Sequence, residues 1–202
     1  MSPEGTLAFC VFAFVASVTP GPNNLMLLAS GMNFGFRASI PHILGVSCGF
    51  FVLVVSVGLG LGEVFTRYPQ SHVVMKWAGA IYMLYLAWRI AISGAPSPED
   101  SPATRGRPVG FVGAAMFQWV NPKAWVMAAG AFATYIPAAP SAALVVVIAA
   151  LFATINIPCI SGWAVFGARL RRWLREPRYA RVFNVGMAVL LVISLVPMLR
   201  TS

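Results

Sequence analysis

The chain has 202 residues, 59% of them hydrophobic and 9% charged, with a mean hydropathy of +0.80. A soluble globular domain of this size could not stay in solution with that composition, so the chain is expected in a lipid bilayer. A net charge of +9 invites a nucleic-acid reading. However, the bases fall between apolar runs, in loops too short to form a base-reading module, so no nucleic-acid partner is expected.

Apolar runs long enough to span, about 20 residues each, lie at about residues 5 to 31, 39 to 62, 73 to 92, 111 to 134, 142 to 167 and 182 to 199. Stretches such as 142–152 are apolar on every side, whereas a β-barrel needs alternating segments of about ten residues. The predicted fold is an all-α integral membrane protein with six transmembrane helices. The first run has no Lys or Arg before Arg37 and continues beyond an interruption, so it is expected to be retained rather than cleaved as a secretory signal.

That interruption is Thr19-Pro20-Gly21-Pro22-Asn23. In hydrocarbon, peptide groups freed by proline must face protein or a wet cavity, which points to a transport site. Thr19 is expected to cap a half-helix starting at Pro20 or Pro22. Its positive end would then favour an anionic group such as an amino-acid carboxylate, with Asn23 and Asn24 adding side-chain donors and acceptors. A proline kink bonded only to neighbouring helices is the alternative.

Gly31 and Gly35, Gly45 and Gly49, and the series Gly58, Gly60 and Gly62 are spaced for close helix packing, which fits contacts within one chain and also a homodimer seam. In the second span His42 is a residue type that titrates near neutral pH, a proton-coupling candidate or a packed polar group. Tyr82 and Tyr85 sit at helical spacing in the third span. They fit substrate contact or structural hydrogen bonding.

Between Ser93 and Pro108 the sequence turns rich in Pro and Ser, a cytoplasmic connector without apolar period. It divides the chain into two three-helix halves, 1–92 and 111–202, joined by a linker over 93–110. The second half opens like the first, with Asn121-Pro122-Lys123 interrupting its first span 102 residues after Thr19-Pro20. Because each half has an odd number of spans, the two form an inverted repeat whose broken first helices meet near the midplane.

Asn121 is expected to cap the second half-helix. Lys123 is the only charged residue well inside a span. A central lysine costs roughly 2.5–3.5 kcal/mol, against about 0.3–0.6 returned by each large apolar residue, so it needs a partner or a cavity unless it snorkels. In the fifth span Asn156 precedes Pro158, which frees a carbonyl one turn earlier. Asn156, like the tyrosines, fits either role.

The bases order the topology. Alternate loops hold Arg37, then Arg89, Arg105 and Arg107, then Arg169, Arg171, Arg172, Arg175, Arg178 and Arg181, while the opposite side holds Arg67, Lys76 and Arg200. The positive-inside rule puts the basic loops in the cytoplasm and both termini outside. The Arg169–Arg181 cluster, with Trp173 and Tyr179, also suits anionic lipid headgroups. The acids Glu4, Glu63, Glu99, Asp100 and Glu176 all fall at span ends or in loops, leaving no mid-membrane carboxylate. The two histidines and the scattered Cys10, Cys48 and Cys159 suggest no metal site or cofactor, and the cysteines read as packing residues.

Taken in order, Thr19-Pro20-Gly21-Pro22-Asn23, then Gly35-Phe36-Arg37-Ala38 leading to Gly45 and Gly49, then Lys76-Trp77-Ala78-Gly79-Ala80-Ile81-Tyr82-Met83-Leu84-Tyr85-Leu86, then Asn121-Pro122-Lys123-Ala124 resemble the signature blocks of the LysE/RhtB family of amino-acid exporters. The resemblance implies a bacterial inner-membrane exporter of amino acids or their derivatives, driven by the proton gradient. It also implies that Pro20, Gly21, Pro22, Asn23, Asn121, Pro122 and Lys123 line the site. The tract Gln118–Trp125, with Asn156-x-Pro158, is most similar to the branch that includes cysteine and O-acetylserine exporters. Ser39-Ile40-Pro41-His42-Ile43 departs from the small and aliphatic residues usual there.

The expected function is secondary active transport, not enzymatic, by alternating access. Lys123 would provide a counter-charge or the exchanged proton. An ion or metal transporter of similar helix count would want intramembrane carboxylates, and an intramembrane thiol-disulfide enzyme would want paired cysteines. The chain has neither.

Overall fold

A computed structural model describes residues 2–61, 67–68, 70–93, 108–137, 140–171 and 176–200. Among them every regular element is helical. Most of the predicted connector, with Glu99, Asp100, Arg105 and Arg107, lies outside the described residues, as do Gly62, Glu63, Arg172, Trp173 and Arg175.

Helix α1 (Pro3–Val18) starts where the Ser2 hydroxyl accepts the Gly5 N–H at 3.1 Å and Pro3 fills a first-turn position that needs no donor. It stops at Thr19 because the residue before a proline is pushed out of helical geometry, and α2 (Pro22–Phe34) restarts at a bend of 54°. Gly35, at φ 86°, turns α2 directly into α3 (Phe36–Ser56), a backbone that a side chain would strain. A π turn over Val57–Leu61 extends α3, and α4 spans Gln70–Ala91. The second interrupted run forms α5 (Phe111–Val120) and α6 (Pro122–Tyr135). Then come α7 (Ala142–Leu170), α8 (Pro177–Ile193) and the short α9 (Leu195–Arg200).

Phe36–Leu61 and Ala142–Leu170 are each long and apolar enough to cross a membrane, and the bent pair α1–α2 makes a third such segment. By length and composition the described helices thus supply two or three of the six expected spans. The run at 111 to 134 is two helices of 10 and 14 residues, because Pro122 has no N–H for the ladder and bars helical geometry at Asn121. The run at 182 to 199 likewise divides at Ser194.

Contacts fix how the helices run relative to one another. Phe9 packs on Phe152 with ring centroids 5.5 Å apart, Asn156 bonds Ser17, and Gly31 abuts Ala164, so α1–α2 and α7 run in the same direction. Gly45 abuts Phe111 and Gly49 abuts Ala115, which makes α3 and α5 parallel. Lys76 bonds the Leu199 carbonyl while Asn184 bonds that of Ser93, so α4 opposes α8 and its α9 extension. Phe12 lies beside Tyr135 and Gly21 beside Lys123, so α1 opposes α6.

The core is built from close backbone approach and aromatic edges. Gly31 lies against the Ala164 carbonyl of α7, and Gly167 of α7 lies against the Leu28 carbonyl of α2, each with no room for a Cβ. Phe152 is fully buried and takes the edges of Phe9 and Phe50, the latter at 4.9 Å. Outward, Val126 is 71% exposed, Val112 70% and Val74 68%. So many exposed large apolar side chains suit lipid and not water. Cys159 is buried, Cys10 half-buried, and Cys48 lies on the exposed face instead of packing inside.

Candidate functional site

The two interruptions face each other. At the end of α1 the carbonyls of Ser17, Val18 and Thr19 lose their intrahelical partners, and three side chains replace them. Asn24 donates to Ser17 and Thr19 at 2.9 and 2.8 Å, Trp163 donates to Val18 at 3.2 Å, and the Lys123 ammonium donates to Thr19. A cation at the carbonyl end of a helix is where the helix dipole favours one. Lys123, on the first turn of α6, thus finds its partner in the broken backbone at the end of α1. Gly21 makes this possible: a Cβ there would lie 2.7 Å from Lys123 Cδ.

A second bridge crosses between α2 and α5. Asn23 donates to Gln118 Oε1 at 2.8 Å, Gln118 returns a bond to Asn23 Oδ1 at 3.2 Å, and its other hydrogen goes to the Ala114 carbonyl at 2.9 Å. Gln118 is fully buried. Residues from both bridges, with Asn121 and Asn156, line one cavity of about 30 Å³. That holds roughly two waters, so an amino acid can occupy it only after the walls part. Asn156 donates to Ser17 Oγ at 3.1 Å, while its Oδ1 is buried with no partner among the described residues.

The predicted site residues divide between this cavity and other places. Gly21, Asn23, Asn24, Asn121, Lys123 and Asn156 line it. Asn121 caps α6 as expected, its Oδ1 accepting the Lys123 N–H at 3.2 Å. Thr19 does not cap α2: it ends α1, its hydroxyl donates back to the Val15 carbonyl, and Gly21 is the N-cap without a side-chain bond. Pro20 is exposed at the bend, while Pro22 and Pro122 each occupy the first turn of a restarting helix. Tyr82 and Tyr85 lie outside the cavity. The Tyr82 hydroxyl donates to the Gly113 carbonyl at 3.2 Å, and Tyr85 is 46% exposed beside Trp88 and Arg89.

His42 is fully buried on α3, one helical turn from the cavity-lining Val46, and neither ring nitrogen has a partner among the described residues. No group of three or more metal-ligating side chains occurs among the described residues. Sequence reasoning passed over Gln118 and Ser17. A glutamine three residues before Asn121 in an apolar run was the available signal for the first. The hydroxyl of Ser17 carried none.

The reciprocal amide pair makes a quantitative prediction. Gln118→Ala leaves the Asn23 amide unpaired and should destabilise the detergent-solubilised protein by about 1–3 kcal/mol. In a double-mutant cycle with Asn23→Ala the coupling should reach about 0.5 kcal/mol or more. Additive effects in thermal unfolding would show that the pair does not hold α2 to α5.

Two helix interruptions that meet at one cavity fit the class of membrane translocators, whose sites lie at such breaks. The chain belongs to one such family: the profile described as LysE type translocator matches residues 14–199. Among curated proteins it is similar to the cysteine/O-acetylserine efflux protein of Escherichia coli O1:K1 / APEC, 33% identical over 194 residues that cover 95% of this chain and 96% of that one. The protein of that name from Escherichia coli strain K12 is 32% identical over the same shares. So is that from Shigella sonnei strain Ss046. No solved structure matches the chain.

Proposed function

We propose that this protein is a secondary active exporter of amino acids or their derivatives, working by proton antiport in the bacterial inner membrane. The names of its relatives make cysteine and O-acetylserine the first candidate substrates. The observation that carries the reading is the Lys123 ammonium crossing to the α1 break beside a cavity that Asn23, Asn24, Asn121 and Asn156 also line. A zwitterion needs donors at one end and an acceptor at the other. Lys123 offers its charge to a carboxylate, with Asn23 and Asn121 to orient it, and the Asn156 Oδ1, which has no partner among the described residues, accepts from an ammonium.

In this reading, residues 1–92 and 111–202 form two inverted three-helix halves joined by a cytoplasmic linker over 93–110. The opposed runs of α1 and α6, and the parallel runs of α3 with α5 and of α1–α2 with α7, agree with six spans in that order. The basic helix ends at Arg37, Arg89, Arg169 and Arg178 then face the cytoplasm and its anionic lipids, with both termini outside. Substrate displaces the Thr19 carbonyl from Lys123, and the cavity opens alternately to each side. Lys123 and the buried His42 are the two proton carriers the reading offers.

Uptake of a labelled amino-acid panel into inside-out vesicles energised by a proton gradient tests this directly. Accumulation of cysteine or O-acetylserine that collapses with a protonophore is expected. Accumulation of no amino acid, or accumulation indifferent to the gradient, would overturn the exporter or its coupling respectively.

A further inference from the structure

Helix α2 is held by two seams of different construction. Against α7 the contact is made by main chain: Gly31 lies on the Ala164 carbonyl and Gly167 on that of Leu28, with no room for a Cβ at either. The far end of α2 is tied to α8 by side-chain amides. Asn33 donates to Asn184 at 2.8 Å and receives a bond from it at 3.0 Å. Asn33 also donates to the Ala29 carbonyl at 3.0 Å and Asn184 to the Ser93 carbonyl at 2.7 Å, so all four amide hydrogens are used. Both residues are buried. The bond to Ser93, just past α4, stays within the α4–α8 pair, which Lys76 also fastens through Leu199. The Asn33–Asn184 bonds cross from that pair to α2.

This crossing stands at one end of a chain of cavities. Asn33 is about ten residues, or 15 Å, along α2 from Asn23, half of a hydrocarbon core about 30 Å thick. Over that distance α2 passes from the central cavity, lined by Gly21, Asn23 and Asn24, to a second one of about 40 Å³, lined by Met26, Ser30 and Asn33. Leu86, Ser93 and Val109 are among the other walls of the second cavity. Basic residues gather at this end: Arg171 Nη1 is 3.4 Å from where a Cβ on Gly35 would sit, and Arg37 and Arg178 lie in the first turns of α3 and α8.

The chemistry of the tie suits a contact that opens and closes. Water replaces both partners of a neutral amide pair at little net cost once it can enter. Interlocked aliphatic chains would expose apolar surface on parting, and a separated buried ion pair would leave uncompensated charge. When closed, the fully used amides leave nothing on this wall for water to bind. The main-chain seam between α2 and α7 has no such exchange available.

We propose, on the exporter reading that puts this end in the cytoplasm, that the Asn33–Asn184 pair is the inner gate of the transporter. Helices α4 and α8 move together away from α2, the pair parts, and substrate enters the second cavity on its way to the central one. The bond from Asn184 to Ser93 is kept throughout, because it joins two elements that move as one.

Cysteine cross-linking tests the gate. With Cys10, Cys48 and Cys159 replaced by serine, Asn33→Cys with Asn184→Cys is joined in inside-out vesicles by a short bis-methanethiosulfonate, and the link is verified by mass spectrometry. Transport of labelled O-acetylserine should fall at least about tenfold, as expected when an obligatory opening is blocked, and return when the link is reduced. Ser93→Cys with Asn184→Cys, linked in the same way beside the same cavity, should keep its transport, because that link stays within the moving pair. Transport undiminished by the first link, or diminished equally by both, overturns the gate. If the double variants do not accumulate, Asn184→Ala should speed thiol modification of Ser30→Cys from the cytoplasmic face severalfold, and no acceleration overturns the gate. Wild-type protein that transports no amino acid sinks the exporter reading and the gate together, whereas wild-type transport that tolerates the Asn33–Asn184 link sinks the gate alone.

Discussion

Lys123→Met is expected to reduce export by roughly 100-fold while leaving the protein in the membrane at wild-type abundance. Methionine keeps the length and apolar stem of lysine and removes the charge, so the wall of the cavity stays filled. What disappears is a charge-assisted hydrogen bond worth about 1.5–3 kcal/mol to a carboxylate, or about 10- to 150-fold in binding. Any proton carried by the ammonium is lost as well. The Thr19 carbonyl keeps its 2.8 Å bond from Asn24, so the α1 end is not orphaned and the bend should survive. Lys123→Arg should be intermediate, because the stem already lies within 2.7 Å of where a Cβ on Gly21 would sit and leaves little width for a guanidinium. Transport assayed against immunoblotted membrane protein decides it. Full export by Lys123→Met would remove this residue from the mechanism.

The largest stability effect is expected at Gly31. An alanine there drives its Cβ into the Ala164 carbonyl, and the reciprocal contact of Gly167 with the Leu28 carbonyl closes the same crossing from the other side. Overpacking typically costs about 1–3 kcal/mol. Here the obstacle is main chain on both sides, so α2 and α7 must separate, which disturbs Asn23, Asn24 and Asn156 together. Gly31→Ala should lower the unfolding temperature, and Gly31→Leu should prevent accumulation of monodisperse protein. Gly162 on the same helix α7 has nothing within 4 Å of a Cβ. Gly162→Ala should be neutral or slightly stabilising through helix propensity. Equal tolerance at the two glycines would mean that the α2–α7 crossing is not close-packed.

The parts of this site that could be read from sequence are those with a local cause. A proline inside an apolar run breaks a helix whatever surrounds it, so both interruptions and the Asn121 cap were visible, and a lone lysine in such a run announces a polar interior. The identity of its partner was not visible, because the Thr19 carbonyl is 104 residues away and a main-chain oxygen carries no residue signature. The Asn23–Gln118 and Asn33–Asn184 pairs span 95 and 151 residues and depend on how α2 docks on α5 and α8. Thr19 looked like a cap because two prolines offer two restart points. The second is used, leaving Gly21 at the N-cap beneath Lys123. The tyrosine spacing was real, with Tyr82 and Tyr85 rings 6.1 Å apart, but period alone did not say that their helix turns them to the Gly113 carbonyl and the outer surface.

The most direct measurement is substrate protection at the central cavity. With Cys10, Cys48 and Cys159 replaced by serine, a single cysteine is placed at Ala16, which lines the cavity, or at Val11, which is 55% exposed on the outer side of the same helix. Saturating O-acetylserine, or the amino acid selected by the vesicle panel, should slow thiol modification at position 16 severalfold and leave position 11 unchanged, and Lys123→Met should abolish the protection. Active export with no protection at position 16 would mean that substrate does not pass between the two broken helices.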